Sequence, residues 1–135
     1  MDRTLFNKDG DPIAYITDDY DKTIYLWEGF PVAYLYDDQY VYGFNGLHLG
    51  WFIDDILFDN DGNRIGFTIG SCPVAVAKEP VKNEKYPKDE IRSRWKASPL
   101  PHLGFDFADQ DLAAFLKEGQ VAYFSEKETF EGPGD

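Results

Sequence analysis

The chain has 135 residues, a single cysteine and a formal net charge of −12. That length makes one domain, or one domain with an appendage, and lone Cys72 excludes an internal disulfide framework and a thiolate zinc cluster. Residues 1–70 hold 4 Lys/Arg against 13 Asp/Glu, which disfavours nucleic acid as a partner, because phosphate binding rests on cationic side chains.

Four segments of the first half repeat one pattern. Leu5-Phe6 leads through a turn containing Gly10 into Ile13-Ala14-Tyr15-Ile16. Leu26-Trp27 leads through Gly29 into Val32-Ala33-Tyr34-Leu35. Gly43-Phe44 leads through Gly46 into Leu49-Gly50-Trp51-Phe52, and Leu57-Phe58 leads through Gly62 into Ile65-Gly66-Phe67-Thr68. The copies step by 19, 17 and 16 residues, measured at Ile13, Val32, Leu49 and Ile65. Each reads as an aromatic-ended strand, a glycine turn and a strand of aliphatic, small and aromatic residues. Asn45-Gly46 and Asp61-Gly62 supply the positive φ that tight hairpins need, and Pro12 and Pro31 sit where a strand begins.

A lone hairpin is marginal in water, so the four must bury their apolar faces on one another. The recurrent small residue (Ala14, Ala33, Gly50, Gly66) marks a site where another backbone comes close, and four equivalent sites imply a pseudo-fourfold axis. Period-two alternation puts Ile13 with Tyr15, Val32 with Tyr34, Leu49 with Trp51 and Ile65 with Phe67 on one face, as a second ring. The expected fold is mainly β: four sequential hairpins over residues 1–71, then an extended connector and one short helix over residues 72–135, packed on the repeat.

Within that second part, Val74-Ala75-Val76-Ala77 suits one further strand. Residues 78–101 carry four prolines and seven Lys/Arg and show no sustained period, as an extended connector would. A helical turn fits Asp89 to Trp95, and the Trp95 ring is expected to dock on the β part. The excess of basic over acidic residues in 78–96, 7 against 4, suits contact with the chain's own acidic half. Asp109 to Glu118 reads as a helix, capped by Asp109 or Asp111, with Leu112, Phe115 and Leu116 on one face and Gly119 at its end. Val121-Ala122-Tyr123-Phe124 reads as a last strand, followed by a frayed tail from Glu126.

The decapeptide Leu26-Trp27-Glu28-Gly29-Phe30-Pro31-Val32-Ala33-Tyr34-Leu35 and its three counterparts resemble the four-fold β-flower proteins of bacteria. A segment punctuated by proline and lysine, then Leu103-Gly104-Phe105-Asp106 before a short helix, extends the resemblance. It implies a fold, and it brings no catalytic residues with it.

Chemistry is sparse. Asp18-Asp19, Asp37-Asp38 and Asp54-Asp55 each follow an aromatic-containing strand, so a ring would gather them on one rim as weak calcium candidates, calcium being a ligand of oxygen clusters. No Ser or Cys is placed by motif beside His48 or His102, and no GxGxxG, P-loop, HExxH or CxxC occurs. Neither a catalytic residue nor a cofactor is therefore expected. Tyr20, Tyr25, Tyr36, Tyr40 and Tyr42 exceed what a domain of this size can bury, and Tyr20, Tyr36, Tyr40 and Tyr42 beside the aspartates suit a ligand surface. The expected function is a non-enzymatic interaction or scaffold module that holds a protein or small ligand on an acidic, tyrosine-rich rim. A carboxylate-based or metal-dependent hydrolase and a small acidic regulatory or immunity-type protein are the alternatives. With no apolar run long enough to span a bilayer, no secretory signal at the start and one cysteine, a cytoplasmic protein without a membrane partner is expected.

Overall fold

The computed structural model describes residues 1–121. Eight short strands follow one another: β1 (Arg3–Phe6), β2 (Pro12–Ile16), β3 (Thr23–Leu26), β4 (Pro31–Tyr36), β5 (Tyr40–Gly43), β6 (His48–Ile53), β7 (Ile56–Asp59) and β8 (Arg64–Phe67). Each pairs antiparallel with the next, and β8 pairs back onto β1 through Phe6 and Phe67, closing a barrel. Closure leaves no edge strand to template aggregation. Among the described residues no helix is long and apolar enough to cross a membrane.

The four hairpin turns are the same object. In each, the first residue's N–H donates to the carbonyl of the fifth (Asn7 to Asp11, Leu26 to Phe30, Gly43 to Leu47, Asp59 to Asn63), and the glycine N–H returns to the carbonyl of the first. The glycines Gly10, Gly29, Gly46 and Gly62 hold φ between 85° and 104°. Equal turns correct the alignment of the first strands. Leu26-Trp27 and Gly43-Phe44 open their turns, and the true counterparts of Leu5-Phe6 are Ile24-Tyr25 and Val41-Tyr42.

Every hairpin also carries a β-bulge at the same place, which leaves Ile13, Val32, Leu49 and Ile65 as the extra residue. A bulge interrupts strict alternation. These four aliphatics therefore pack on the inner apolar cluster with the small residues that follow them, not on the face of Tyr15, Tyr34, Trp51 and Phe67 as alternation predicts. The small position does make room. A Cβ on Gly50 would collide with the Phe58 carbonyl, and one on Gly66 would lie 3.1 Å from Leu57 Cβ and 3.2 Å from Leu112. At Ala14 and Ala33 a methyl is accommodated in the buried interior.

The aromatic residues form a girdle on the outside of the barrel. They meet in directly opposed pairs across each junction between hairpins: Tyr15 with Tyr25, Tyr34 with Tyr42, Trp51 with Phe58, and Phe67 with Phe6. All eight are at most 6 % exposed, although they face away from the core. Tyr25 and Tyr42 are thus buried, against expectation, because the rest of the chain adds a second layer around the barrel.

That layer is a belt formed by residues 72–107. It donates one backbone hydrogen bond to each turn glycine: Ala77 N–H to Gly10 O at 2.8 Å, Tyr86 to Gly29 at 2.9 Å, Trp95 to Gly46 at 2.9 Å and Gly104 to Gly62 at 3.1 Å. The four bonds are separated by three equal steps of nine residues, in a segment whose side chains show no period. The glycines are required for the approach. A Cβ on any of them would run into the carbonyl oxygen of Ala75, Glu84, Ser93 or His102, again nine residues apart. Neither the strand expected over Val74–Ala77 nor the helical turn over Asp89–Trp95 forms, since this chain makes single bonds to successive turns instead of a ladder or a coil. The belt's cations reach the acidic half, as expected: Lys82 pairs with Asp2 at 3.0 Å, and Lys88 with Asp19 at 3.2 Å and Asp21 at 3.4 Å.

The belt ends by bonding to β8, where Arg64 N–H donates to Asp106 O and Ala108 N–H to Arg64 O. Helix α1 (Leu112–Lys117) follows, shorter than expected, with Asp111 as N-cap accepting from Ala114 N–H. Its Leu112, Phe115 and Leu116 join the barrel's inner cluster. The core is therefore shared between the hairpins and the helix that follows the belt. Gly119 serves close packing, since a side chain there would strike Val32 O and Gly43 Cα. The strand expected over Val121–Phe124 and the tail from Glu126 lie, apart from Val121, outside the described residues.

Gly62→Ala is expected to cost about 1–3 kcal/mol, since it forces a side chain into the left-handed region and against the belt. Gly70→Ala, where a Cβ meets nothing closer than 3.9 Å, should stay within about 0.5 kcal/mol. Urea denaturation of the two variants compares them directly.

Candidate functional site

The end of the barrel opposite the glycine turns is built from three links between hairpins. Asp54-Asp55 is a two-residue loop with φ of 54° and 63°, and Asp37 and Asp38 hold φ of 54° and 59°. Aspartate is one of the few residues that tolerates this region. In these two links the acidic pairs do backbone work, and they lie on separate loops. Among the described residues no three Asp, Glu, His or Cys side chains converge as a metal ion would need.

The third link, residues 17–22, is the longest. Asp18 is exposed on it, against the Met1 amino group. Asp19 folds back on the start of β3, its carboxylate accepting from Thr23 N–H at 2.9 Å and from the Thr23 hydroxyl at 2.8 Å, with Lys88 beside it. Burial alone would raise its pKa, but the Thr23 bonds and Lys88 overcome this and hold it at about 2. Tyr20, next in the chain, is 99 % exposed.

Tyr20 forms one wall of a cleft of about 580 Å³, lined further by Tyr34, Leu35, Tyr36, Ile91 and Arg94, with Asp21 and Asp37 also on its walls. The Arg94 guanidinium lies 3.7 Å over the Tyr36 ring and donates to the Tyr34 hydroxyl at 3.2 Å. Tyr36 is 43 % exposed. It adjoins Tyr40 and Tyr42 at centroid distances of 5.9 and 6.1 Å, and Tyr40 continues the aromatic surface to Trp51 at 4.8 Å and His48 at 6.0 Å.

Of the four tyrosines expected to form a ligand surface, Tyr20 and Tyr36 line the cleft, Tyr40 lies half-buried beside it, and Tyr42 is withdrawn. Burial raises the Tyr42 pKa, and its hydroxyl donates to the Trp95 carbonyl at 2.8 Å. Trp95 docks through that carbonyl and its own N–H, while the residue as a whole stays 65 % exposed, so the attachment is through main chain and not through the expected ring burial. His48 is packed among Tyr40, Tyr42 and Trp51, where burial lowers its pKa and Nδ1 accepts from Ser98 N–H at 3.2 Å. Cys72 is half-buried, with its thiol 3.6 Å from Asn7 O.

Of the cleft residues, the sequence points to Tyr20, Tyr36 and Asp37 only; Tyr34 reads as part of the repeat core, and Arg94 as connector charge. Arg94 repeats the placement of Lys85 one nine-residue step earlier, which stands 5.2 Å over Tyr25, but the step is carried by main-chain bonds and gives no side-chain signal.

The model of the family described as 4-fold beta flower protein matches residues 3–116, and the chain belongs to that family. The match spans the four hairpins, the belt and nearly all of α1, and its description names a fold and no activity. No curated protein and no solved structure matches the chain.

Asp19→Asn is expected to lower the melting temperature by a few degrees near neutral pH, by weakening the bonds to Thr23 and Lys88. A carboxyl whose pKa is depressed on folding stabilises above its unfolded value, about 3.9, and loses that contribution as pH falls through its folded value. The gap between wild type and variant should therefore close between about pH 4 and pH 2, which a thermal-melt series across that range would read.

Proposed function

We propose that this β-flower protein is a non-enzymatic interaction module that holds a partner protein across the cleft between Tyr20 and Tyr36. The observation that carries the reading is the placement of Tyr20, 99 % exposed on an acidic link, beside half-exposed Tyr36. Tyrosine supplies large contact area with few rotatable bonds, which is why it is enriched at binding surfaces. The surrounding aspartates and the net charge of −12 favour a partner that presents basic side chains, which gain from both the carboxylates and the ring faces. The same charge disfavours nucleic acid.

The hydrolase alternative draws less support. A carboxylate acting as general acid needs its pKa raised toward the working pH, whereas Asp19 is lowered and engaged by Thr23. His48 is packed among rings, and its Nδ1 is engaged by the Ser98 main-chain N–H, not by a hydroxyl or thiol.

Affinity capture with the full chain and with a Tyr20→Ala/Tyr36→Ala variant tests the reading. Wild type should retain one partner reproducibly, and the variant, with its melting temperature unchanged, should lose it by about tenfold or more, as truncation of interface aromatics commonly does. Equal recovery on both, or no partner on either, would sink the proposal.

A further inference from the structure

We infer that Arg94 is the anion anchor of this cleft, and that the group it takes is a carboxylate of a peptide that also carries basic side chains. The inference rests on the binding role proposed above and names the chemistry recognised there.

Arg94 is held as a receptor group is held. The belt is fixed on both sides of it, by Arg92 N–H to Phe44 O and Trp95 N–H to Gly46 O, both at 2.9 Å. The guanidinium plane is set by the Tyr36 face at 3.7 Å and by the bond to the Tyr34 hydroxyl at 3.2 Å. A guanidinium has five N–H donors in a rigid fork, so most of them remain for a ligand. Preorganisation of this kind removes much of the entropic cost of ordering a long side chain on binding.

Three other cations of the molecule are engaged differently. Lys82 and Lys88 are spent on Asp2, Asp19 and Asp21. Arg64 bonds the Gly104 carbonyl through Nε and stacks on Phe105 at 4.6 Å, fastening the belt to β8. Among the described residues Arg94 pairs with no carboxylate, although it lies in a strongly acidic protein and lines the cleft described above. A forked donor set over a ring matches the planar, two-oxygen shape of a carboxylate.

The surroundings select among anions. Asp21 and Asp37 share the cleft, so a dianionic phosphate would meet like charge, while a singly charged carboxylate flanked by lysine or arginine side chains would find opposite charge for both of its ends. A chain terminus and an acidic side chain both supply such a carboxylate; the chemistry is shared, and the probes separate the sources.

The test uses the ¹⁵N-labelled full chain and three synthetic probes: N-acetyl-Lys-Arg-Phe as the free acid, its C-terminal amide, and N-acetyl-Lys-Arg-Glu-Phe amide. The free acid or the glutamate peptide should bind roughly tenfold or more tightly than the plain amide, as loss of a charged hydrogen bond implies. Binding should move the Arg94 Nε–Hε resonance. In Arg94→Gln that preference should vanish with the fold retained, and Arg94→Lys should restore it only in part. Preference for the free acid assigns a terminal carboxylate, and preference for the glutamate peptide assigns a side chain. Equal affinities of all three probes, no binding by any, or an Arg94→Gln variant that melts lower with the preference intact would overturn the inference. If the Tyr20/Tyr36 variant still loses a captured partner, the binding role stands without the carboxylate anchor; if capture shows no difference either, both fall.

Discussion

The hydrogen bond from the belt to each turn glycine is the constraint on which the rest of this structure depends. The barrel alone has an ordinary inner core, but it also turns eight large aromatic side chains outward. Burying one such ring contributes roughly 1.5–3 kcal/mol, and net stability of a domain is only about 5–15 kcal/mol. Even if the belt supplies half of the girdle's burial, its removal would consume most of that margin. The belt is therefore part of the fold, and it is held by contacts that need a glycine at each turn for two reasons at once: a positive φ and a passing carbonyl where a Cβ would sit.

This double requirement explains what was legible in the sequence. Glycine is the only residue that satisfies both demands, so Gly10, Gly29, Gly46 and Gly62 recur and reveal four hairpins. The belt's half of the same bond is a main-chain N–H, which any residue except proline provides. Ala77, Tyr86, Trp95 and Gly104 therefore share a spacing and no chemistry, and their period could not be seen in side chains. The bulge hid itself in a similar way. Ile13, Val32, Leu49 and Ile65 look like members of an alternating strand, and only the register shift beside them turns them inward.

The misjudged tyrosines follow from the same omission. Tyr25 and Tyr42 exceed what a barrel can hold inside, and counting the barrel alone leaves them in water. A second layer of irregular chain, with lysine and arginine side chains laid over the rings at 4.5 Å for Lys82 on Tyr15 and 5.2 Å for Lys85 on Tyr25, buries them while keeping the outer surface charged. Long cationic side chains suit that role because their stems are apolar and their ends remain wet. The candidate site was legible in part for the opposite reason: Tyr20 stays 99 % exposed on its acidic link, where the belt's Lys88 pairs only with the flanking aspartates.

The copies differ where the chain passes from one hairpin to the next. Thr4–Ile16, Thr23–Leu35, Tyr40–Phe52 and Ile56–Thr68 are equivalent stretches of 13 residues, so the falling spacing of 19, 17 and 16 is due entirely to shorter links. Two of those links shrink to tight loops in which aspartate serves the backbone. The first has residues to spare, and it uses them to lock Asp19 onto Thr23 and to hold Tyr20 out over the second hairpin's Tyr34 and Tyr36. Three equal short links would close the ring with no cleft and leave Arg94 as one more cation over one more ring. The fourfold plan supplies rigidity, and the one long link breaks it at the place where the belt brings a forked cation, so the asymmetry that folding does not require is the part of the molecule available for recognition.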